Sequence, residues 1–189
     1  MVSQAARGVS RRHALAAAGA AGAAALGGCS TKAMPSNVPL TKRTPGAATD
    51  VGFLTGLLGH ERYAIAAYTA AIPLLSAPAA RAGKQFLAQE LAHATELEGL
   101  IEQAGGEPPK PPADYVLGIP GDERQLLELL HEAERAQLES YLNAIRWLTP
   151  PRIRGALAAI VSNDAQHVAV LRARLGLPPV PAALVTARE

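Results

Sequence analysis

Hydrophobic and polar residues follow each other along most of the chain with the period of an α-helix. Apolar side chains recur three and four residues apart, as at Leu54, Leu57 and Leu58 and again at Phe86 and Leu91. This spacing is typical of an amphipathic helix with one buried face. No segment shows the two-residue period of a strand. The predicted helices cover residues 50–71, 79–104, 122–148 and 150–176.

The connections between these helices predict how they are arranged. The links between the first two helices and between the last two are short, whereas residues 107–121 are rich in proline and cannot continue a helix. Short links make antiparallel neighbours, and one long link can carry the chain back along a bundle. The predicted fold is therefore all-α, a single four-helix domain over residues 50–176 with one long crossover between helices 2 and 3. Residues 177–189 form a C-terminal tail.

Residues 1–28 have the layout of a secretory signal. A basic start is followed by an apolar run from Ala14 to Gly28 and then by Cys29. The run is about 15 residues long, whereas a helix needs roughly 20 to cross a bilayer. We therefore expect a signal peptide and no permanent membrane span.

Two features of this segment make the expectation more specific. The pair Arg11 and Arg12 resembles a twin-arginine export signal, although Ala14 stands where such signals favour phenylalanine. The stretch from Leu26 to Cys29 resembles a bacterial lipobox, which implies acylation of Cys29, for example with palmitate. The alternative is a chance cysteine beside an ordinary cleavage site. A lipid anchor would hold the protein at the outer face of the cytoplasmic membrane, with residues 29–49 as a flexible tether.

Composition and charge exclude several classes of function. The chain has 189 residues, 49% of them hydrophobic, and a formal charge of +2 that includes three arginines within the first 28 residues. The remainder is close to neutral, so a nucleic-acid partner is not expected. A single cysteine excludes an internal disulfide framework and a cysteine-based zinc site.

The sequence contains an internal repeat that carries the candidate chemistry. Glu61 and Glu134 each begin a Glu-Arg pair with a tyrosine seven residues later, at Tyr68 and Tyr141. The second and fourth helices each contain an acid followed three residues later by histidine, at residues 90–93 and 164–167. The offsets between the halves are 73 and 74 residues, so the chain resembles a duplicated helical hairpin.

An acid and a histidine three residues apart project from the same helix face, one above the other. Two such helices, with one carboxylate from each of the other two, bring six nitrogen and oxygen ligands to one level of a bundle. Carboxylates and imidazoles suit iron or manganese, whose positive charge would offset that of buried carboxylates. The candidate metal ligands are Glu61, Glu90, His93, Glu134, Asp164 and His167.

These motifs, together with the crossover connection, resemble the ferritin-like superfamily, and specifically exported bacterial ferritin-like proteins of unassigned activity. The resemblance covers about residues 50–176 and implies a dinuclear iron or manganese site with oxidoreductase activity on iron and oxygen or on peroxide. Asp164 stands where the family usually has glutamate. Its shorter reach puts in doubt whether it bridges two metals.

Competing interpretations exist for individual residues. Glu134 shares its helix with Glu128, His131 and Glu132, so the position of the ligand on this helix is open by one turn. The repeat favours Glu134. His60 and His131 have no counterpart in the repeat and are expected at the surface. For Tyr68 and Tyr141 we expect core packing with the hydroxyl bonded to a facing helix. The alternative for the tyrosines is a redox role or a hydrogen bond that holds a ligand histidine.

Two further functions compete with oxidoreductase chemistry. Iron storage needs a shell of many subunits, which a lipid-tethered monomer or homodimer does not provide. The stronger alternative is a non-enzymatic module whose metal site has degenerated. Such a module would bind a protein partner at the cell envelope through the bundle surface or through residues 107–121.

Overall fold

The computed structural model describes residues 47–118, 120–184 and 186–187. Four predicted features lie outside these residues: the signal peptide, the arginine pair Arg11 and Arg12, the acylation site at Cys29, and most of the tether. Those features therefore stay predictions. Within the described part of the chain, no helix combines the length and the apolar character needed to cross a membrane.

The first half of the bundle is a helical hairpin. Helix α1 covers Ala47–Ala71 and continues into a short 3₁₀ turn at Ile72–Leu74, and helix α2 covers Ala77–Gln103. Pro73 interrupts the first helix, whereas Pro78 lies in the first turn of α2, where a missing N–H is tolerated. Gly105 ends α2 with a positive φ of 82°, the left-handed conformation that glycine adopts without strain. Helix α1 begins three residues before the predicted start.

The second half repeats this hairpin. Helix α3 covers Glu123–Ile145, and the Asp122 carboxylate caps it by accepting the Gln125 N–H at 2.8 Å. Helix α4 covers Pro151–Arg174. Helix α3 ends three residues earlier than predicted, because the chain turns before Pro150 and the residue preceding a proline is disfavoured in a helix.

The four helices pack as two hairpins side by side, with α1 along α2, α3 along α4 and α1 along α3. Their apolar stripes form two separate clusters along the bundle axis. One contains Leu54 and Leu58 of α1 together with Leu157 of α4. The other contains Ala67 and Tyr68 of α1 together with buried residues of the other three helices. Residues near position 61 of α1 therefore lie in a layer between the two clusters.

The long connection is held against the first hairpin. Arg62 donates one hydrogen bond to the Pro109 carbonyl oxygen at 2.6 Å and forms an ion pair with Glu98 at 2.8 Å. The ring of Tyr63 meets Tyr115 of the connection edge to face, with centroids 6.3 Å apart. This segment thus has defined contacts with α1 despite its lack of helix.

One residue of the predicted apolar stripe is not in the core. Leu91 has half of its surface exposed. It follows Glu90 by one residue, which is about 100° around the helix, so the orientation that buries Glu90 turns Leu91 outward. The buried polar layer therefore determines how α2 is rotated. The hydrophobic pattern alone predicted a buried position for Leu91, and this prediction was wrong.

Candidate metal centre

The layer between the two apolar clusters contains all six candidate ligands. The four carboxylates have no exposed surface, His167 is 1% exposed, and the His93 side chain is 12% exposed. Their ligand atoms form two groups, each within 4.8 Å, that share Glu90. The first group is Glu90, Glu134, Asp164 and His167, and the second is Glu61, Glu90 and His93.

His167 is tightly held in the first group. Its Nδ1 lies 3.0 Å from Glu90 Oε1 and 3.2 Å from Glu134 Oε1. Its Nε2 lies 2.8 Å from the side-chain oxygen of Gln89, and its ring stacks on Phe86 with centroids 4.1 Å apart. An amide oxygen can only accept, so Nε2 donates to Gln89, and Nδ1 is the nitrogen that faces Glu90 and Glu134.

His93 is held more loosely. Its Nδ1 lies 3.4 Å from Asp164 Oδ1, 3.7 Å from Glu61 Oε2 and 3.9 Å from Glu90 Oε1. These distances are long for direct hydrogen bonds. The Asp164 carboxylate, despite its short side chain, lies close to His93 while also belonging to the group around His167.

The two tyrosines contact the centre from the facing helices. Tyr68 of α1 donates a hydrogen bond to Glu134 Oε1 of α3 at 2.5 Å, and Tyr141 of α3 donates one to Glu61 Oε1 of α1. Both hydroxyls thus bond a facing helix, and each partner is a candidate ligand carboxylate rather than a histidine. Each tyrosine leaves the second oxygen of its glutamate without a hydrogen bond within the described residues.

Burial without a cation perturbs the acids strongly. Desolvation, followed by the charges of Glu90 and Glu134, raises the pKa of Asp164 to about 9. Desolvation and the neighbouring Glu90 raise the pKa of Glu61 well above its ordinary value. Desolvation and Glu90 likewise raise the pKa of Glu134 to about 7.

Glu90 and His167 form the charged pair of the cluster. Burial alone would raise the pKa of Glu90, but its contacts with His167, Glu61 and Gln137 outweigh burial, so this pKa is lowered. Burial alone would lower the pKa of His167, but Glu134 and Glu90 outweigh it and raise this pKa to about 10. The pKa of His93 is lowered by burial. Protons on the acids and on His167 therefore supply the charge balance of the metal-free layer.

The residues present fit a pair of cations. Several buried ligand atoms have no hydrogen-bond partner among the described residues, and leaving such atoms unpaired is costly. Oxygen and imidazole donors in this number suit iron or manganese. The unpartnered atoms are Glu61 Oε2, Glu90 Oε1, Glu134 Oε2, both Asp164 oxygens and His93 Nδ1.

Three amide residues around the centre were missed by the sequence analysis. Gln89 precedes Glu90, and its repeat counterpart Asn163 precedes Asp164, so each motif begins with an amide before the acid. Gln89 bonds the histidine of the opposite motif, and Asn163 lies beside His93 and acts on its pKa. The amide before each acid could therefore have been recognised in the sequence as part of the repeated motif. Gln137 has no such signal, because its counterpart 73 residues earlier is an alanine.

The competing acids of α3 lie outside the cluster. Glu128 pairs with Arg124 at 2.9 Å, and Glu132 pairs with Arg135 at 2.7 Å, both in exposed positions. Of the candidates on this helix, the structure thus brings Glu134 into the centre.

The two remaining helical histidines are more buried than predicted. His60 is partly buried between α1 and α3 and lies 2.9 Å from the Ser140 hydroxyl oxygen. His131 is also partly buried, and its Nε2 is enclosed by protein. The expectation of surface positions was wrong for both, because each stands next to the packed edge of its helix.

Comparison with known proteins agrees with the fold. Four helices with one long crossover and a carboxylate and histidine layer in the core define a ferritin-like bundle. The model of the ferritin-like domain family matches residues 49–177. The chain belongs to this family. None of the curated proteins compared with it is similar enough to count as a match.

Solved structures share this fold at low sequence identity. A ferritin-like diiron-carboxylate protein from Bacillus anthracis is 18% identical with a TM-score of 0.61, covering 68% of this chain and 96% of that one. A conserved hypothetical protein from Mycobacterium tuberculosis is 16% identical with a TM-score of 0.65, covering 73% and 98%. Bacterioferritin from Rhodobacter capsulatus, described with a metal-free dinuclear site and haem iron, is 21% identical with a TM-score of 0.61, covering 68% and 84%.

Proposed function

We propose that this protein is an exported, lipid-tethered member of the ferritin-like family whose bundle binds two iron or manganese ions and acts as an oxidoreductase. The observation that carries the proposal is the convergence of six ligand side chains, from all four helices, on one buried layer with unpartnered ligand atoms. Bound iron or manganese supplies one-electron redox chemistry toward dioxygen or peroxide.

The protein's own residues prepare the centre for cations. Tyr141 and Tyr68 each hold one oxygen of a glutamate, which leaves Oε2 of Glu61 and Oε2 of Glu134 available. Gln89 fixes the orientation of His167 by accepting its Nε2–H. These contacts reduce the side-chain entropy that ligands lose when they coordinate a metal.

Access to the centre is proposed on the side of His93. It is the one candidate ligand with appreciable exposure, at 12% of its side chain, whereas the other five are closed off by the bundle. A ferrous ion or a small oxidant would reach the layer past this imidazole. Larger organic substrates do not fit a centre buried in this way.

Export and membrane attachment are proposed from the sequence alone. Arg11 and Arg12 provide the twin-arginine pair, and Cys29 follows an apolar run and two glycines. Two acyl chains on Cys29 would suffice for stable anchoring, since each buried CH₂ contributes about 0.8 kcal/mol. Metabolic labelling with a fatty acid tests this: label should enter the wild-type protein and not Cys29→Ala, and equal labelling of both would refute the anchor.

The second candidate function is a non-enzymatic binding module at the cell envelope. The observation in its favour is the contact of 3.0 Å between His167 Nδ1 and Glu90 Oε1, which pairs two of the buried candidate ligands with each other. A bundle whose buried polar groups pair with one another would serve as a scaffold for a protein partner. The long connection at residues 107–121 is its most irregular surface.

Metal content decides between the two functions. The purified protein is loaded with iron and, separately, with manganese, and its metal content is measured by elemental mass spectrometry. We expect close to two ions per chain, with loss in His93→Ala and His167→Ala. His60→Ala serves as the matched control, because it removes a partly buried histidine that bonds Ser140 outside the cluster.

The possible results distinguish the oxidoreductase from the binding module. Two ions in the wild type and in the His60 variant, and fewer in the other two, support the dinuclear centre and lead to assays of dioxygen and peroxide consumption. A well-folded wild type without bound metal would overturn the oxidoreductase proposal and favour the binding module.

A further inference from the structure

Gln137 is a buried amide that contacts one carboxylate of the centre. It lies on α3, one turn after Glu134, and has no exposed surface. Its Nε2 donates a hydrogen bond to Glu90 Oε2 at 2.8 Å, across a sequence separation of 47 residues. A neutral donor in the core is thus directed at the one carboxylate that belongs to both ligand groups.

This contact breaks the twofold pattern of the repeat. The tyrosine contacts are symmetric, because each half donates one hydroxyl to the glutamate of the other. The counterpart of Gln137 is Ala64, a buried residue that can donate nothing from its side chain. Accordingly Asp164, the counterpart of Glu90, has both oxygens without a hydrogen-bond partner among the described residues.

The contact also holds one oxygen of Glu90 and leaves the other facing the histidines. With Oε2 occupied by the amide, Oε1 lies 3.0 Å from His167 Nδ1 and 3.9 Å from His93 Nδ1. Turning the carboxylate so that both oxygens face the histidines would leave the Gln137 N–H buried and unpaired, which is costly in a protein core. Gln137 therefore favours one arrangement of the shared ligand.

We propose that Gln137 is a positioning residue that holds Glu90 Oε2, presents Oε1 to His167 Nδ1, and so strengthens metal binding in the half of the centre around His167. The half around His167 is the tighter one, because its imidazole is fixed by Gln89 and by stacking on Phe86. The half around His93 has longer contacts and partial exposure. The inference rests on the proposed binding of two metal ions.

Titration with Co(II) tests this inference without relying on activity. Calorimetry gives the affinity of each binding step, and the visible absorption of Co(II) reports its coordination. The variants are Gln137→Leu and Gln137→Met, which both remove the amide at similar volume. The control is Gln166→Leu, because Gln166 is exposed on α4 and bonds only the Ser162 carbonyl of its own helix at 3.0 Å.

We expect two unequal steps in the wild type and in the control. Removing the amide should weaken the tighter step about 10- to 100-fold, as is typical when an outer partner of a metal ligand is lost. The absorption of the first Co(II) equivalent should change as well, since Oε2 is released. A purely structural role would lower the unfolding midpoint of the metal-free protein without altering the affinities or the spectrum.

Two other outcomes would contradict either the role of Gln137 or the proposed binding of metal. Two steps of equal affinity in the wild type, or Gln137 variants that match the control in affinity and spectrum, overturn the role of Gln137 alone. If the wild type binds no Co(II), the proposed metal function fails together with this inference. Using two Gln137 variants keeps the test valid if one of them does not fold.

Discussion

The metal-free protein should lose stability as the pH rises, and Asp164 should cause a defined part of this loss. Its carboxyl has a pKa of about 9 in the folded chain against an ordinary value of 3.8. An acid whose pKa is raised by folding takes up a proton when the chain folds. Between these two pKa values the folded state holds one more proton than the unfolded state, so raising the pH favours unfolding.

The size of this effect follows from the proton count. One proton bound only in the folded state changes the free energy of unfolding by about 1.4 kcal/mol per pH unit. Between pH 6 and 8 Asp164 alone should therefore remove about 2.7 kcal/mol of stability. His167, whose pKa is raised to about 10, contributes in the same direction above its ordinary value of 6.5.

The perturbation that isolates Asp164 is Asp164→Asn, which replaces a protonated carboxyl by a neutral amide of the same shape. Chemical denaturation of chelator-stripped protein at pH 6, 7 and 8 measures the free energy of unfolding. The slope against pH should be shallower in the variant by about 1.4 kcal/mol per pH unit. Asp114→Asn, in the exposed connection, is the matched control and should follow the wild type. Parallel slopes for wild type and Asp164→Asn would refute the reasoning.

Two further predictions concern the same layer. Metal binding at pH 7 should release at least two protons per chain, because Asp164 and His167 hold protons with pKa values of about 9 and about 10 that coordination displaces. Calorimetry in two buffers of different ionisation enthalpy measures this number, and release of no protons would contradict the assigned protonation. Tyr141→Phe should destabilise the metal-free protein by about 1 to 3 kcal/mol, because it removes a hydrogen bond to buried Glu61. Denaturant unfolding measures this loss, and an equal loss in the control Tyr63→Phe would contradict the role of the hydroxyl.

The helices and the ligand set were accessible from the sequence because they depend on local periodicity and on the repeat. An acid three residues before a histidine must share a face with it, so the motifs of α2 and α4 could be aligned without knowing the packing. Proline and glycine marked the helix ends to within three residues. The sequence also indicated that the tyrosine hydroxyls bond facing helices, but could not identify their partners.

Other features depend on distances between helices. Gln137 stands in the sequence as an ordinary helix residue, and only the packing of the two hairpins brings its amide to Glu90 of α2. The sequence left the ligand on α3 uncertain by one helical turn, among Glu128, Glu132 and Glu134, although the repeat favoured Glu134. The rotation of α3 decides this, since it buries Glu134 and leaves the other two exposed.

The sequence by itself determined the number of helices, the crossover between the two hairpins, and the candidate residues for the polar layer. These follow from spacing along one chain, where each residue turns a helix by a fixed angle. Only the tertiary structure decided that Gln137 holds one oxygen of Glu90 and that His167 turns its Nδ1 toward the carboxylates. It also decided that His93 is the histidine of the layer that is partly exposed to solvent. Those choices depend on contacts of about 3 Å between residues that are dozens of positions apart, and such contacts exist only once the helices are packed.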